Sequence, residues 1–593
     1  MSAVVAALDK HTPSSIGENG HRQYTWSHDL TEKIVQLSFQ LTRTAKETVR
    51  TTLAQKFREI LSGLPLTAET DSGENILSLV VRMIGHTRDI VGGKGEYELS
   101  YMLVYELHRF YPELAQGVLQ SFLESSGSSD SECDSHPYGS WKDVKYFCNY
   151  CAEMGGALHP LIDFAHGIAL KQLRTDWQRY SVRTSNDSCP RLSLAARWLP
   201  REKSKKFGWQ FHRLAEAFFS DWLAEPAGLV PLERHAWLDR AKTKCYTHFR
   251  LVLATLNKQL DTLQVKQCKN TWSEIDYAHV TSITLRRQGK ALRNVKANDP
   301  STERCASEDR RTCAENFRKF MERAAAGKAV VKGKRVSLID FARSAHGNGD
   351  EDDCKLINEQ WKDNATQTGA LPDFIPMIDT SGSMTCDNSV PLYSAVGLGI
   401  RIAEKSKLGQ RAMTFSAQPR WIDYSACKGF TDKVRATFAG DWGMNTNFTA
   451  ALTLILDAIK SARLLPEEVE NMVLVILSDM QIDCAGNERI DESMHSHIKR
   501  LYEEAGVQLH GRPFRPPGIL FWNLRSTTGF PTLSAQENVF MMSGTSPALL
   551  NLFCETGVSA LREHTPWRMF VESLCHARYA PLKSMTDEFI ARC

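Results

Sequence analysis

A chain of 593 residues is too long for one ordinary hydrophobic core, so two or more domains are expected. With 42% hydrophobic and 24% charged residues, the composition is that of a soluble globular protein. The net charge of +3, from 72 basic and 69 acidic side chains, excludes overall polyelectrolyte character, so any nucleic-acid surface has to be a local patch.

The N-terminal stretch Met1 to His11 lacks a basic segment followed by a sustained apolar run, which reads as no signal peptide. Apolar runs such as Met472 to Leu477 are too short to span a bilayer, so no membrane contact is expected. Fifteen scattered cysteines, an odd number, then read as reduced thiols in a cytoplasmic or nuclear protein.

Residues 1–25 are polar and aperiodic and are expected to be a disordered tail. From 26 to 346 the pattern is helical. Leu99, Leu103, Leu107 and Phe110 mark an apolar stripe, and Glu98, Met102, Glu106 and Arg109 a polar-leaning one. Similar patterns recur at Leu214 to Leu223 and Phe249 to Leu263, but no strict period distinguishes a helical-repeat scaffold from a plain helical domain. Ser125 to Tyr138 reads as a loop. Residues 347–370 read as a hinge (Gly347 to Asp353) and a connecting helix.

From 371 to 593 the periodicity changes. Phe374 to Ile378, Ala412 to Phe415, Val473 to Leu477, Ile519 to Trp522 and Val539 to Met542 are short apolar runs. Helical stretches such as Pro391 to Lys405 and Thr449 to Arg463 lie between them. Buried strands alternating with helices predict a doubly wound, mainly parallel α/β sheet.

At the end of the first of these strands stands Asp379-Thr380-Ser381-Gly382-Ser383. Ligands of such sheets bind in loops at the carboxyl ends of strands. This loop offers one carboxylate and two hydroxyls on alternate residues, hard oxygen donors suited to Mg²⁺ or Mn²⁺. Thr446, just before a predicted helix, and Asp479, at the end of Val473 to Leu477, can join the same crevice. Ser381, Ser383 and Thr446 are also residue types that cap helices.

The set Asp379-x-Ser381-x-Ser383, Thr446, Asp479 resembles the metal-ion-dependent adhesion site of von Willebrand factor A domains. The resemblance implies that the serines and the threonine coordinate a metal directly or through water and that the aspartates hold its waters. It also implies an open position for an acidic residue of a protein partner. The chain departs from the family at Met444-Asn445, where Gly-Gly often precedes the threonine, and at Met480, where glycine usually follows the aspartate.

Further segments are similar to a family catalogued as a domain of unknown function: Arg82-Met83, Arg88-Asp89, Gly92 to Glu96, Tyr138 to Asp143, Ala196 to Arg201, Trp272 to Tyr277 and Phe521 to Leu524. That family pairs a helical N-terminal region with a von Willebrand A-like C-terminal domain. Its layout is similar to the TROVE family of Ro ribonucleoproteins, which implies an RNA-binding scaffold as the second reading.

Other motifs are weaker. Gly92-Gly93-Lys94-Gly95 lacks phosphate-loop spacing and reads as a loop before the helix from Glu96. Cys133-x2-His136 and Cys148-x2-Cys151 have zinc-ligand residue types, but helical cysteines at this spacing are commonly buried hydrophobes. Arg201, Lys203, Lys205 and Lys206, near Trp198, Phe207 and Trp209, and a second cluster of Arg286, Arg287, Lys290 and Arg293, are the candidate RNA-binding residues. No nucleophile elbow and no His-Glu-x-x-His occurs, so the expectation is a non-enzymatic interaction protein with a Mg²⁺ or Mn²⁺ site.

Overall fold

A computed structural model describes residues 13–17, 22–125, 136–182, 192–225, 231–347, 349–415, 418–440, 448–481, 494–555 and 564–593. Within the segment expected to be a tail, β1 (Ser14–Ile16) and β2 (Arg22–Tyr24) form an antiparallel hairpin. Tyr24 bridges Phe530, so contact with the distant C-terminal region, invisible in local composition, orders this stretch.

The chain is multidomain: a helical region precedes a mixed sheet. The sheet has six strands in the order β5-β4-β3-β6-β7-β8. They are β3 (Phe374–Asp379), β4 (Arg411–Phe415), β5 (Arg420–Asp423), β6 (Val473–Ser478), β7 (Gly518–Asn523) and β8 (Val539–Ser543). Every neighbouring pair is parallel except β4 with β5. Five of the strands coincide with the apolar runs of the sequence. The sixth, β5, lies on the edge with only Ile422 buried, and so lacks a core-strand signature.

Alternation sorts each central strand between two cores. Val473, Val475 and Leu477 of β6, with Leu520 and Trp522 of β7, face one side, against Leu392, Val396 and Ala403 of the helix Cys386–Lys405. Leu474, Ile476, Ile519 and Phe521 face the other, against Leu452, Ile455 and Ile459 of the helix Phe448–Ala462. Two helices before the sheet, Leu338–His346 and Glu351–Ala365, belong to the first of these cores. Leu338, Phe341, Ile357 and Trp361 join it, and Trp361 stacks on Phe430 at 3.8 Å.

The first helical core runs from Ile34 to Leu256 and is completed by the chain's last two helices, Pro566–Leu574 and Ala580–Ile590. These contribute Phe570, Val571, Leu574 and Leu582. Gly85 makes that docking feasible, because a Cβ there would strike Leu582. Buried ion pairs fix the arrangement. Arg88 meets Asp143 at 2.6 Å with both side chains fully buried, and Arg578 meets Asp89 at 2.6 Å.

The helix Tyr97–Phe110 forms over the predicted stripe, but its faces differ from the sequence reading. Met102 and Glu106 are buried, whereas Phe110 is 38% exposed. The helix is enclosed on more than one side, and Glu106 is kept between Arg109 at 3.2 Å and Arg58 at 3.8 Å. No helix among the described residues is long and apolar enough to cross a membrane.

Candidate metal centre

β3 and β6 are adjacent and parallel, so their carboxyl ends lie side by side and present Asp379 and Asp479 together. Both carboxylates are fully buried. The Ser381 backbone N–H donates to Asp379 Oδ1 at 2.9 Å, and the Ser478 hydroxyl donates to Asp379 Oδ2 at 2.6 Å. Ser381 Oγ and Ser383 Oγ are 3.1 Å apart, and Ser383 Oγ donates to Asp479 Oδ1 at 3.3 Å. A continuous set of oxygens thus runs from Asp379 through both serines to Asp479. Ser383 is half-buried and stands at its open side.

Turn geometry holds these groups. Gly382–Thr385 forms a short 3₁₀ turn immediately after Ser381, and neither Ser381 nor Thr385 makes a side-chain helix cap at its ends. Met480 has φ of +63°, the left-handed conformation that glycine takes without strain and that the resemblance would place a glycine in. The departure from the family pattern at this position therefore leaves the backbone turn intact. Thr446, with Met444 and Asn445, lies outside the described residues, so four of the five predicted ligands can be placed, and they come together.

Burial, and after it the nearby Asp479, pushes the Asp379 carboxyl up to about 7. Asp479 is likewise raised, by burial first, against the pull of Arg525. Two carboxylates kept from water and set against each other's charge have the electrostatics of a cation site. Together with two hydroxyls they form an all-oxygen donor set, and such a set fits a hard divalent ion better than a soft one.

Sequence reasoning missed two members. Ser478, the last residue of β6, orients Asp379. Arg525 approaches from the loop after β7, with Nη1 3.1 Å from Asp479 Oδ2. The signal for Arg525 was present in principle: β7 adjoins β6, so the loop leaving its carboxyl end has to open onto the same crevice.

The two basic clusters fare differently. Lys203, Lys205 and Lys206 are exposed, with Arg201 beside them. They adjoin Lys145, whose ammonium lies 5.1 Å from the Trp198 ring, 5.5 Å from Tyr146 and 5.6 Å from Phe207. The second cluster is largely engaged within the fold. Arg293 pairs with Asp350 at 2.8 Å and Asp353 at 2.5 Å, Arg286 lies over Phe341 and donates to the Asp340 carbonyl, and Lys290 donates to the Ala297 carbonyl. Arg287 alone of the four is exposed. Cys148 and Cys151 are buried with thiols pushed up by desolvation, whereas Cys133 lies outside the described residues.

Residues 373–585 match the family model described as Domain of unknown function (DUF7788). The match starts one residue before β3 and ends inside the last helix, so it takes in the whole sheet and every placed residue of the site. Uncharacterized protein L728 of Acanthamoeba polyphaga mimivirus is 23% identical over 492 residues, covering 80% of this chain and 76% of the viral protein. That similarity extends beyond the matched domain into the helical region. The resemblance to an uncharacterised family is thereby met for the C-terminal region, and neither description carries an activity.

Proposed function

We propose that the C-terminal unit is a von Willebrand factor A-like interaction domain. Asp379, Ser381, Ser383 and Asp479, with Thr446, hold Mg²⁺ or Mn²⁺ and use it to capture an acidic group of a protein partner. The observation that carries this reading is the juxtaposition of two buried carboxylates and two serine hydroxyls at the carboxyl ends of adjacent parallel strands. When bound, the metal would supply an electrophilic coordination position for a carboxylate. The chain's own residues do the rest: Ser478 and the Ser381 N–H fix Asp379, Ser383 links the two carboxylates, and the helical region serves as scaffold.

Calorimetric titration of Mg²⁺ and Mn²⁺ into wild type and Asp379→Ala tests this. Binding to wild type that is lost in the variant, with unchanged helical circular dichroism, supports the site. Equal heats in both proteins would overturn it.

A second reading, an RNA-binding scaffold with a TROVE-like layout, is favoured by Lys145 against Trp198, Tyr146 and Phe207, with the exposed Lys206 also over Phe207. Cations and aromatic faces together suit single-stranded RNA. It predicts RNA binding that weakens steeply with salt, falls on Lys203→Glu with Lys206→Glu, and survives Asp379→Ala. RNA affinity indifferent to the double lysine change would dismiss it.

A further inference from the structure

The Gly92-Gly93-Lys94-Gly95 loop puts a buried cation on the wall of a cavity. Gly93 lies against the helix Ile76–Arg88, where a Cβ would collide with the His86 carbonyl oxygen, and the Lys94 N–H donates to that same oxygen at 3.0 Å. The Lys94 side chain then runs inward. Its ammonium donates to the carbonyls of Ser38 at 2.6 Å and Leu41 at 3.1 Å, at the end of the helix Leu30–Gln40, and to Ser543 Oγ at 2.7 Å, at the end of β8. Among the described residues no carboxylate lies within ion-pair distance of Lys94, and the residue is 6% exposed. Burial pulls the Lys94 ammonium down to about 7, against the attraction of the Glu96 charge, and carbonyl and hydroxyl dipoles with the helix terminus supply the rest of the balance.

Beside it lies a cavity of about 640 Å³, bounded by the helical region, β8 and the helix Pro566–Leu574. Its size and its place between domains are those of ordinary small-molecule sites. Phe540, Leu549, Phe553 and Met569 give it an apolar wall. Arg578 and Tyr579 also line it, but both are engaged by Asp89, at 2.6 and 3.0 Å. His86 is different. Its imidazole is 9% exposed, meets the Tyr579 ring edge-on at 5.7 Å, and has no hydrogen-bond partner for either ring nitrogen among the described residues. His86 lines the cavity, so a ring nitrogen without a protein partner is available to a ligand atom there.

We propose that this cavity binds a small amphipathic anion. Its carboxylate or phosphate-monoester head accepts the His86 ring N–H in the field of Lys94, and its apolar body lies against Phe540, Leu549, Phe553 and Met569. Burial, reinforced by the Lys94 charge, pushes His86 down to about 3, so the ring is neutral at ordinary pH and offers one donor. A bound anion favours the protonated form of Lys94, which acts by charge, since its three hydrogens are already directed at Ser38, Leu41 and Ser543. The site is separate from the metal centre and does not depend on it.

The test is calorimetric titration of decanoate, decyl phosphate and decanol into the full chain. Wild type should bind at least one of the two anions and not decanol, and the anion that binds identifies the head group. Asp379→Ala should bind as wild type does. His86→Phe, which keeps an aromatic ring and removes both nitrogens, should weaken binding at least tenfold with no fall in the melting temperature of the ligand-free protein. If His86→Phe fails to fold, Lys94→Met gives the same reading through the second group. Absence of anion binding to wild type, equal binding of decanol, or undiminished binding by a folded variant would overturn the proposal.

Discussion

Arg525 reaches across from the loop after β7 and rests its guanidinium 3.1 Å from the buried Asp479 carboxylate, in the same crevice as Ser381 and Ser383. A divalent ion drawn to Asp479 meets this guanidinium first. Arg525→Met should therefore tighten Mn²⁺ binding severalfold by titration calorimetry. The same change should destabilise the metal-free protein by about 1–3 kcal/mol in urea, because it leaves a buried carboxylate without its cation and the arginine is itself partly exposed. Weaker Mn²⁺ binding in the variant would instead make Arg525 part of the site's support.

The pH dependence of the same centre has a definite sign. Asp379 is raised from its unfolded value near 3.8 to about 7, so the folded chain holds a proton that the unfolded chain has released across that interval. Its contribution to stability is fully present below 3.8 and is lost as pH rises through 7. Urea melts of metal-free wild type and Asp379→Asn should show the variant gaining relative stability from pH 4 to pH 7, at up to about 1.4 kcal/mol per unit. Metal binding should run the other way, weakening below about pH 7 as protons compete for the carboxylate.

His166 supplies the opposite slope. It is 4% exposed, and burial pushes its imidazole from 6.5 to about 4, against the hydrogen bond with Gln210 Oε1 at 3.4 Å. The unfolded chain takes up the proton first, so stability is present above 6.5 and is lost as pH falls towards 4. Compared with His166→Asn, wild type should lose about 3 kcal/mol across that window in urea melts, on the conversion of pKa units to free energy.

The Arg88–Asp143 pair should be costly to break and cheap to replace. Asp143 also accepts from the Ser140 N–H at 2.7 Å and from the Tyr101 hydroxyl. Asp143→Asn leaves a fully buried guanidinium uncompensated and should cost about 3–5 kcal/mol, whereas Arg88→Met with Asp143→Leu should recover much of that loss. Chemical denaturation of the single and double variants decides the matter.

Leu582 packs into the space kept open by Gly85. Leu582→Ala should lower stability by about 2–5 kcal/mol, the range for truncating a buried leucine, and the loss should appear in the helical region by hydrogen exchange.

The strands were legible because parallel strands covered on both faces are continuous apolar runs, and Val473 to Ser478 is buried throughout. The Asp379 loop was legible because its donors sit within five residues. What escaped depends on spatial neighbours. Arg525 enters the site only because β7 pairs with β6. Likewise, the faces of Tyr97–Phe110 follow from helices that pack around it. Lys94 reads in sequence as part of a loop before the helix from Glu96, since nothing in Gly-Gly-Lys-Gly says that its side chain turns inward to the carbonyls of Ser38 and Leu41. For the helices Pro566–Leu574 and Ala580–Ile590, periodicity does not say which core an apolar face will join.

Gly85 and Leu582 touch, yet they lie 497 positions apart (582 − 85). During translation the face of the helix Ile76–Arg88 around Gly85 emerges long before its covering helix exists. At ribosomal speeds the wait is roughly 25 to 100 s. For that interval the nascent helical region is an unfinished vessel whose lid is still being made. A premature stop codon between the sheet and the helix Ala580–Ile590 would leave that vessel open for good, and such a transcript should yield aggregate or degraded chain rather than a smaller working protein.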